Sequence, residues 1–246
     1  SSPSHMRVIL LYSMASGKST QITDGTADVI SPAFDASGKY LYFLASTNYG
    51  LKSGWLDMSS QEHYVRRSAY LTVLSKDEPS PFLPSLVDEP GRELESHDST
   101  PAKPPRAAAA GKHAPAPRLD TASVTRVDLD GIQQRIIPLS VPPGDYGNLL
   151  PGSTGTFFFT ETPFPSQPGN EAYHVWQYRL ADKRSRTFVD GVTAYAVSAD
   201  TKKMLFGTPE NHWSIVGTDE PPKAGDGALN VDALETLVDP RAEWAE

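Results

Sequence analysis

Two segments of this chain align without gaps at an offset of 166 residues. Tyr12-Ser-Met-Ala-Ser-Gly-Lys-Ser-Thr-Gln-Ile-Thr-Asp-Gly25 lies over Tyr178-Arg-Leu-Ala-Asp-Lys-Arg-Ser-Arg-Thr-Phe-Val-Asp-Gly191. Both read as strand, tight polar turn, strand, then Asp-Gly. The stretches downstream of each copy repeat as well. Phe34-Asp-Ala-Ser-Gly-Lys-Tyr-Leu-Tyr-Phe43 matches Val197-Ser-Ala-Asp-Thr-Lys-Lys-Met-Leu-Phe206, and Leu150-Pro-Gly-Ser-Thr-Gly-Thr-Phe-Phe-Phe159 is a looser third copy. Repeats of roughly 40–50 residues built from short strands are the pattern of propeller blades. A four-stranded sheet cannot cover both of its own apolar faces. Stacking blades around an axis covers them, so central strands become apolar without alternation. Tyr40-Leu-Tyr-Phe-Leu44, Thr156-Phe-Phe-Phe-Thr160 and Lys203-Met-Leu-Phe206 have that character.

The repeat sets a blade count. Val8 to Thr23 supplies an outer hairpin, with a turn at Ser16-Gly-Lys18. Asp28 to about Val141 gives a second blade, Tyr146 to Val189 a third and Ala194 to Val238 a fourth. Within them, Ala69–Leu74, Val175–Leu180, Arg186–Val189 and Trp213–Val216 read as strands, and Val124–Val141 as strand, turn at Asp130-Gly131, strand. The expected fold is all-β: a partial propeller of about three and a half four-stranded blades, spanning 7–238. A closed ring typically needs 4–8 blades, so the remainder is expected upstream. Residues 1–6, Ser-Ser-Pro-Ser-His-Met, read as an expression-tag remnant. Asp239-Pro240-Arg-Ala-Glu243 combines an N-cap, a first-position proline and an early acid, and 239–246 is expected to start a helix.

Composition identifies the one stretch that does not belong to a blade. From Asp77 to Thr121 there are nine prolines and an Ala107–Ala110 run, and no aromatic occurs from Leu83 to Asp145. Such a segment buries too little apolar surface to offset the cost of ordering its backbone. Residues 77–121 are expected to be a flexible Pro/Ala-rich insertion, because the strand pattern resumes beyond them in the same style.

Charge and residue usage exclude several functions. A net charge of -8 argues against a general nucleic-acid partner. Cysteine is absent, which removes disulfides, thiolate metal sites and thiol catalysis. No apolar run approaches the roughly 18 residues of a membrane span. Ala15-Ser-Gly-Lys-Ser-Thr20 resembles the end of a phosphate-binding loop, but the leading glycine is missing: Ser13 stands four residues before Gly17. The repeat places the segment over Asp182-Lys183, a hairpin turn. His5, His63, His97, His113, His174 and His212 show no i, i+4 metal spacing. His174 and His212 fall at strand starts. Gly152-Ser-Thr-Gly155 is not the Gly-x-Ser-x-Gly nucleophile pattern, and the acids from Asp88 to Asp98 lack the regular ligand spacing of a calcium loop. No catalytic residue, metal ligand or cofactor site is expected. One binding candidate stands out: Arg66 and Arg67 follow the aromatic-rich Trp55–Tyr64 stretch, and guanidinium forks suit a peptide carboxylate.

Three stretches carry a family resemblance. Ser31-Pro-Ala-Phe-Asp-Ala-Ser-Gly-Lys-Tyr-Leu-Tyr-Phe43 resembles the blade repeats of tricorn-protease propellers, as do Val141-Pro-Pro-Gly-Asp-Tyr-Gly-Asn148 and the ending Val238-Asp-Pro-Arg-Ala-Glu-Trp244. In that family two propellers precede a helical segment, a peptide-binding domain and a serine peptidase core. The ending here resembles the junction leaving the second propeller. The resemblance implies a non-catalytic portion that channels or gates peptides toward a catalytic domain downstream, whose serine, histidine and acid lie outside this chain. The chain alone is expected to be inactive. Implied partners are the remaining blades, the catalytic domain, peptides and further copies of the chain. The implied location is periplasmic or otherwise extracytoplasmic, with the cytoplasm as the alternative. The competing reading is a free-standing propeller module that binds a protein or glycan. A hydrolase site within the chain is disfavoured, since no triad or metal set survives inspection.

Overall fold

The computed structural model describes residues 6–48, 65–83, 125–163 and 172–231. Thirteen strands among them form four antiparallel sheets. The first is a hairpin of β1 (Leu10–Ser13) and β2 (Lys18–Gln21). The second holds β3 (Asp28–Phe34), β4 (Tyr40–Ser46), β5 (Ser68–Val73) and β6 (Ile136–Pro138). The third holds β7 (Tyr146–Pro151), β8 (Thr156–Glu161), β9 (Tyr173–Arg179) and β10 (Arg184–Val192). The fourth holds β11 (Ala194–Val197), β12 (Lys203–Gly207) and β13 (Trp213–Gly217). A short extension supplies a fourth edge to the last sheet: the Ile215 N–H donates to the Gly227 carbonyl at 2.9 Å and the Leu229 N–H to Trp213 at 2.8 Å. In every sheet the strands lie side by side in chain order. This is the expected partial propeller of about three and a half blades.

The internal repeat is a repeat of register. Tyr12 pairs with Ser19 and Leu11 with Thr20; at the same offset, Tyr178 pairs with Ser185 and Gln177 with Arg186. The blade turns also coincide. Asp35 N–H donates to Tyr40 and Gly38 N–H to Asp35, as Ser198 donates to Lys203 and Thr201 to Ser198. The third copy closes one residue sooner, from Gly152 N–H to Thr156.

The all-apolar strands serve two interfaces at once. Successive side chains of a strand point to opposite faces. Tyr40, Tyr42 and Leu44 of β4 pack with Phe157 and Phe159 of β8 between the second and third sheets. Leu41, Phe43 and Ala45 point the other way, onto Ile9 and Ile22 of the hairpin. Phe158 faces Met204 and Phe206 of β12. Tyr42, Phe157, Phe158 and Phe159 are fully buried, and each such side chain contributes about 1.5–3 kcal/mol. The Tyr42 ring lies 4.6 Å from Phe157, and Phe157 lies 5.1 Å from Tyr178. A buried carboxylate locks the same joint. Asp35 accepts from Ser37 N–H at 2.8 Å, the Tyr42 hydroxyl at 3.0 Å and, across the sheets, Gly155 N–H at 2.7 Å.

Three expectations need correction. No strand forms over residues 125–129. The carbonyls at the end of β5 are taken instead by the Arg135 guanidinium, whose Nε donates to Val73 at 3.0 Å and whose Nη2 donates to Leu74 at 3.3 Å. A single 3-10 turn, Ile132–Arg135, carries that side chain into place. The first residues of the expected insertion are also not a free loop. Glu78 pairs with Lys39 at 2.9 Å, and Phe82 packs against the core between the second and third sheets. Finally, β3, β7 and β11 are strands that the sequence pattern does not mark. The rest of the insertion and the expected helix at 239–246 lie outside the described residues.

Candidate functional site

The first strand of each larger sheet, β3, β7 or β11, forms a sheet edge, and β7 lies next to both β3 and β11. These three strands therefore form the inner side of the partial ring. Their sequences explain their irregular course. β3 contains Ser31-Pro32, and proline cannot donate to a ladder. Its register with β4 breaks between Ile30 and Ala33, where Ser31 has φ 50°. β7 breaks between Gly147 and Leu150, where Asn148 has φ 46°. Two non-glycine residues in the left-handed region at matching bulges are local strain held by the surrounding fold. The Asn148 carbonyl, released from its own ladder, accepts the Tyr195 hydroxyl of β11. The exposed residues of these inner strands are Pro32, Phe34, Asn148 and Ala196. None is charged.

Charges gather instead at the end of the sheets where the inner strands start. Asp28 has a fully buried side chain and takes Arg7 Nε at 2.8 Å and Arg7 Nη2 at 2.5 Å. Burial pushes this carboxyl up, but the hydrogen bonds and charge of Arg7, with the charge of Arg67, outweigh it and hold its pKa below the ordinary value. His174 Nδ1 lies 2.6 Å from Asp190 Oδ1, and the Trp176 indole donates to Glu161 at 2.8 Å.

Arg66 and Arg67, the sequence candidates, reach this end but part company. Arg66 is exposed, with its backbone N–H on the Asn48 side chain at 3.0 Å. Arg67 is turned inward. Its Nη1 donates to the Tyr146 carbonyl at 3.2 Å and lies 3.4 Å from Asp145. Its backbone exchanges hydrogen bonds with Gly144. Arg67 thus ties the second sheet to the entry of the third. Sequence reading missed Asp28, Asp35 and Asp145, which take cations or backbone N–H groups from distant segments; only Asp35, in a repeated turn, left a local signal.

Two of the other motifs fall on connections between strands. Ser16-Gly-Lys18 is the β1–β2 turn, with Gly17 at φ 66°. His212 is an exposed residue of the β12–β13 connection. His63, His97, His113 and the acids from Asp88 to Asp98 lie outside the described residues. Among the described residues no cluster of three potential metal ligands occurs, and no serine or threonine hydroxyl hydrogen-bonds a histidine.

No family model matches the chain. Individual proteins do. A tricorn-like protease C-terminal subunit of Sulfurisphaera tokodaii is 24% identical over 238 residues, covering 94% of this chain and 24% of that protein. The tricorn protease of Thermoplasma volcanium is 23% identical over 250 residues, covering 98% of this chain and 20% of its own length. The crystal structure of the tricorn protease superposes with a TM-score of 0.61 at 17% identity, over 93% of this chain and 20% of that one. Nearly all of this chain is therefore similar to tricorn proteases, and it spans a fifth to a quarter of their length.

Proposed function

We propose that this chain is the propeller portion of a tricorn-like serine peptidase and that it conducts peptides to a catalytic domain outside it. The observation that carries the reading is the similarity over nearly the whole chain to a fifth of a tricorn protease. One feature of the molecule supports it. The inner strands present uncharged side chains, Pro32, Phe34, Asn148 and Ala196, which suits passage of peptides of varied sequence.

In this reading the propeller acts by geometry. The bulges at Ser31 and Asn148 fix the shape of the inner wall, and Asp35 and Arg67 hold successive blades at a set angle. A wide peptide ensemble is reduced to extended chains that can reach the peptidase. The experiment uses the full protein carrying its downstream domain. Ala196→Trp places an indole on the inner wall at an exposed position. Cleavage of long unstructured peptides should fall several-fold, while cleavage of a short fluorogenic substrate should be unchanged. Equal loss for both, or loss for neither, counts against a conduit at this wall. The isolated chain should neither cleave peptides nor label with a serine-reactive probe.

A further inference from the structure

We propose that the groove between the second and third sheets, at the end opposite Arg67, binds acidic extended peptide. The proposal goes beyond the conduit reading and stands whether or not the chain feeds a peptidase. The groove has a volume of about 520 Å³. Tyr40, Pro81, Leu180 and Ala181 supply apolar lining, and Lys39, Arg179 and Lys183 bring three cations to it. Among the described residues no acidic one lines the groove, although the chain as a whole is acidic, with 22 basic against 30 acidic residues. Ser153 and Thr154 add hydroxyl groups.

The cations are not equally engaged. Lys39 pairs with Glu78 at 2.9 Å, and Arg179 lies 3.3 Å from Asp182 and 3.7 Å from Glu220. Lys183 has no acidic partner among the described residues. Its ammonium stands 5.4 Å from the centre of the Phe82 ring, a contact that orients the charge without neutralising it. Lys183 also occupies a conformation that disfavours it, φ 52°. The matching turn of the first hairpin uses Gly17 at φ 66°. A lysine at a glycine position carries a conformational cost of about 1 kcal/mol, and strain of this kind collects at sites of use. The groove is also rigid. It sits over the joint where buried Asp35 holds Gly155 N–H at 2.7 Å, so little ordering is needed on binding.

An extended peptide alternates its side chains between two sides. Alternating leucine and glutamate would lay one row on the apolar lining and offer the other to the cations. The probe is such a peptide, acetylated, amidated and carrying an uncharged fluorophore, titrated with the full chain and followed by anisotropy. Saturable binding is expected. Replacing each glutamate by glutamine should weaken it about tenfold or more, as loss of charge-assisted contacts does. Lys183→Gly installs the residue the sister turn already uses, so the melting temperature should hold or rise while affinity falls about tenfold. Lys223→Ala, an exposed lysine outside the groove lining, should leave affinity unchanged. Absence of saturable binding, equal binding of the glutamine peptide, full affinity in Lys183→Gly or equal loss in Lys223→Ala would each overturn the proposal. The assay needs no peptidase, so its outcome is independent of the conduit test.

Discussion

Gly227 has no room for a methyl group. A Cβ there would lie 1.9 Å from the Ile215 carbonyl oxygen, and the residue has φ +65°. Gly191 has a similar φ of +68° with nothing within 4 Å. The pair separates steric from conformational cost. Gly191→Ala should destabilise by about 1 kcal/mol through backbone conformation alone. Gly227→Ala should cost about 1–3 kcal/mol more through the added clash, with the excess limited by how readily the Gly227–Leu229 edge detaches. Urea midpoints of the two variants give the difference, and equal midpoints would show that the edge does not close on Ile215. Asp28 makes a second prediction at this scale. Its pKa is depressed below the ordinary 3.8, so the folded state binds its proton less readily than the unfolded state. The stabilisation is present above pH 3.8 and is lost as pH falls through the folded value. Asp28→Asn should be less stable than the parent at pH 7, and the gap should shrink as pH falls below 3.8. A gap that stays constant down to about pH 2 would show that the Arg7 pair has no net charge contribution.

At the scale of elements, legibility followed burial. β4 and β8 are readable because both faces of each meet other sheets, and β12 because Met204 and Phe206 pack on the third sheet, leaving apolar runs that no loop would carry. β3 and β7 are not, because each contains the residues that make its bulge, Ser31-Pro32 and Gly147-Asn148, and these erase the alternation that marks a strand. Tertiary pairing, not local preference, makes them strands. β11 is only four residues long and starts two residues after β10 ends. The Arg67–Asp145 contact joins groups 78 residues apart, a distance at which a single sequence holds no signal. The insertion gives the prediction at this scale. Its exit is anchored beside its entry: Asp128 N–H donates to Leu74 at 2.9 Å, and the Asp128 carboxylate accepts Ser75 Oγ at 3.1 Å and Lys76 N–H at 3.0 Å. Closure entropy grows only slowly with loop length. Replacing residues 86–121 by a short Gly/Ser linker should therefore leave cooperative unfolding intact and the melting temperature within a few degrees. Loss of the cooperative transition would mean that the segment supports the blades. The replacement keeps Glu78 and Phe82, which already belong to the packed body.

At the scale of the whole molecule, the two ends of the sheet stack are unfinished among the described residues. There the outer hairpin has two strands, and β1 pairs with β2 on one edge alone. Its Leu10 and Tyr12 are 61% and 58% exposed. At the other end Ile215 and Leu229 are 42% and 40% exposed. A blade face left open presents apolar area, and an open strand edge presents unpaired backbone groups; both drive association. A net charge of -8 opposes it, but diffuse repulsion is screened within about 10 Å at 0.1 M salt, while burial returns roughly 25 cal/mol per Å² at any salt concentration. The chain by itself should therefore self-associate at moderate salt, more strongly as salt rises. Sedimentation velocity across a concentration series reads this directly. Leu10→Ser with Tyr12→Ser removes the apolar contribution at the hairpin without touching Leu11, which packs on the core. The double variant should shift the distribution toward monomer if the hairpin face is the contact. A single monomeric species of the parent chain at every concentration would show instead that thirteen strands suffice to shield the open ends.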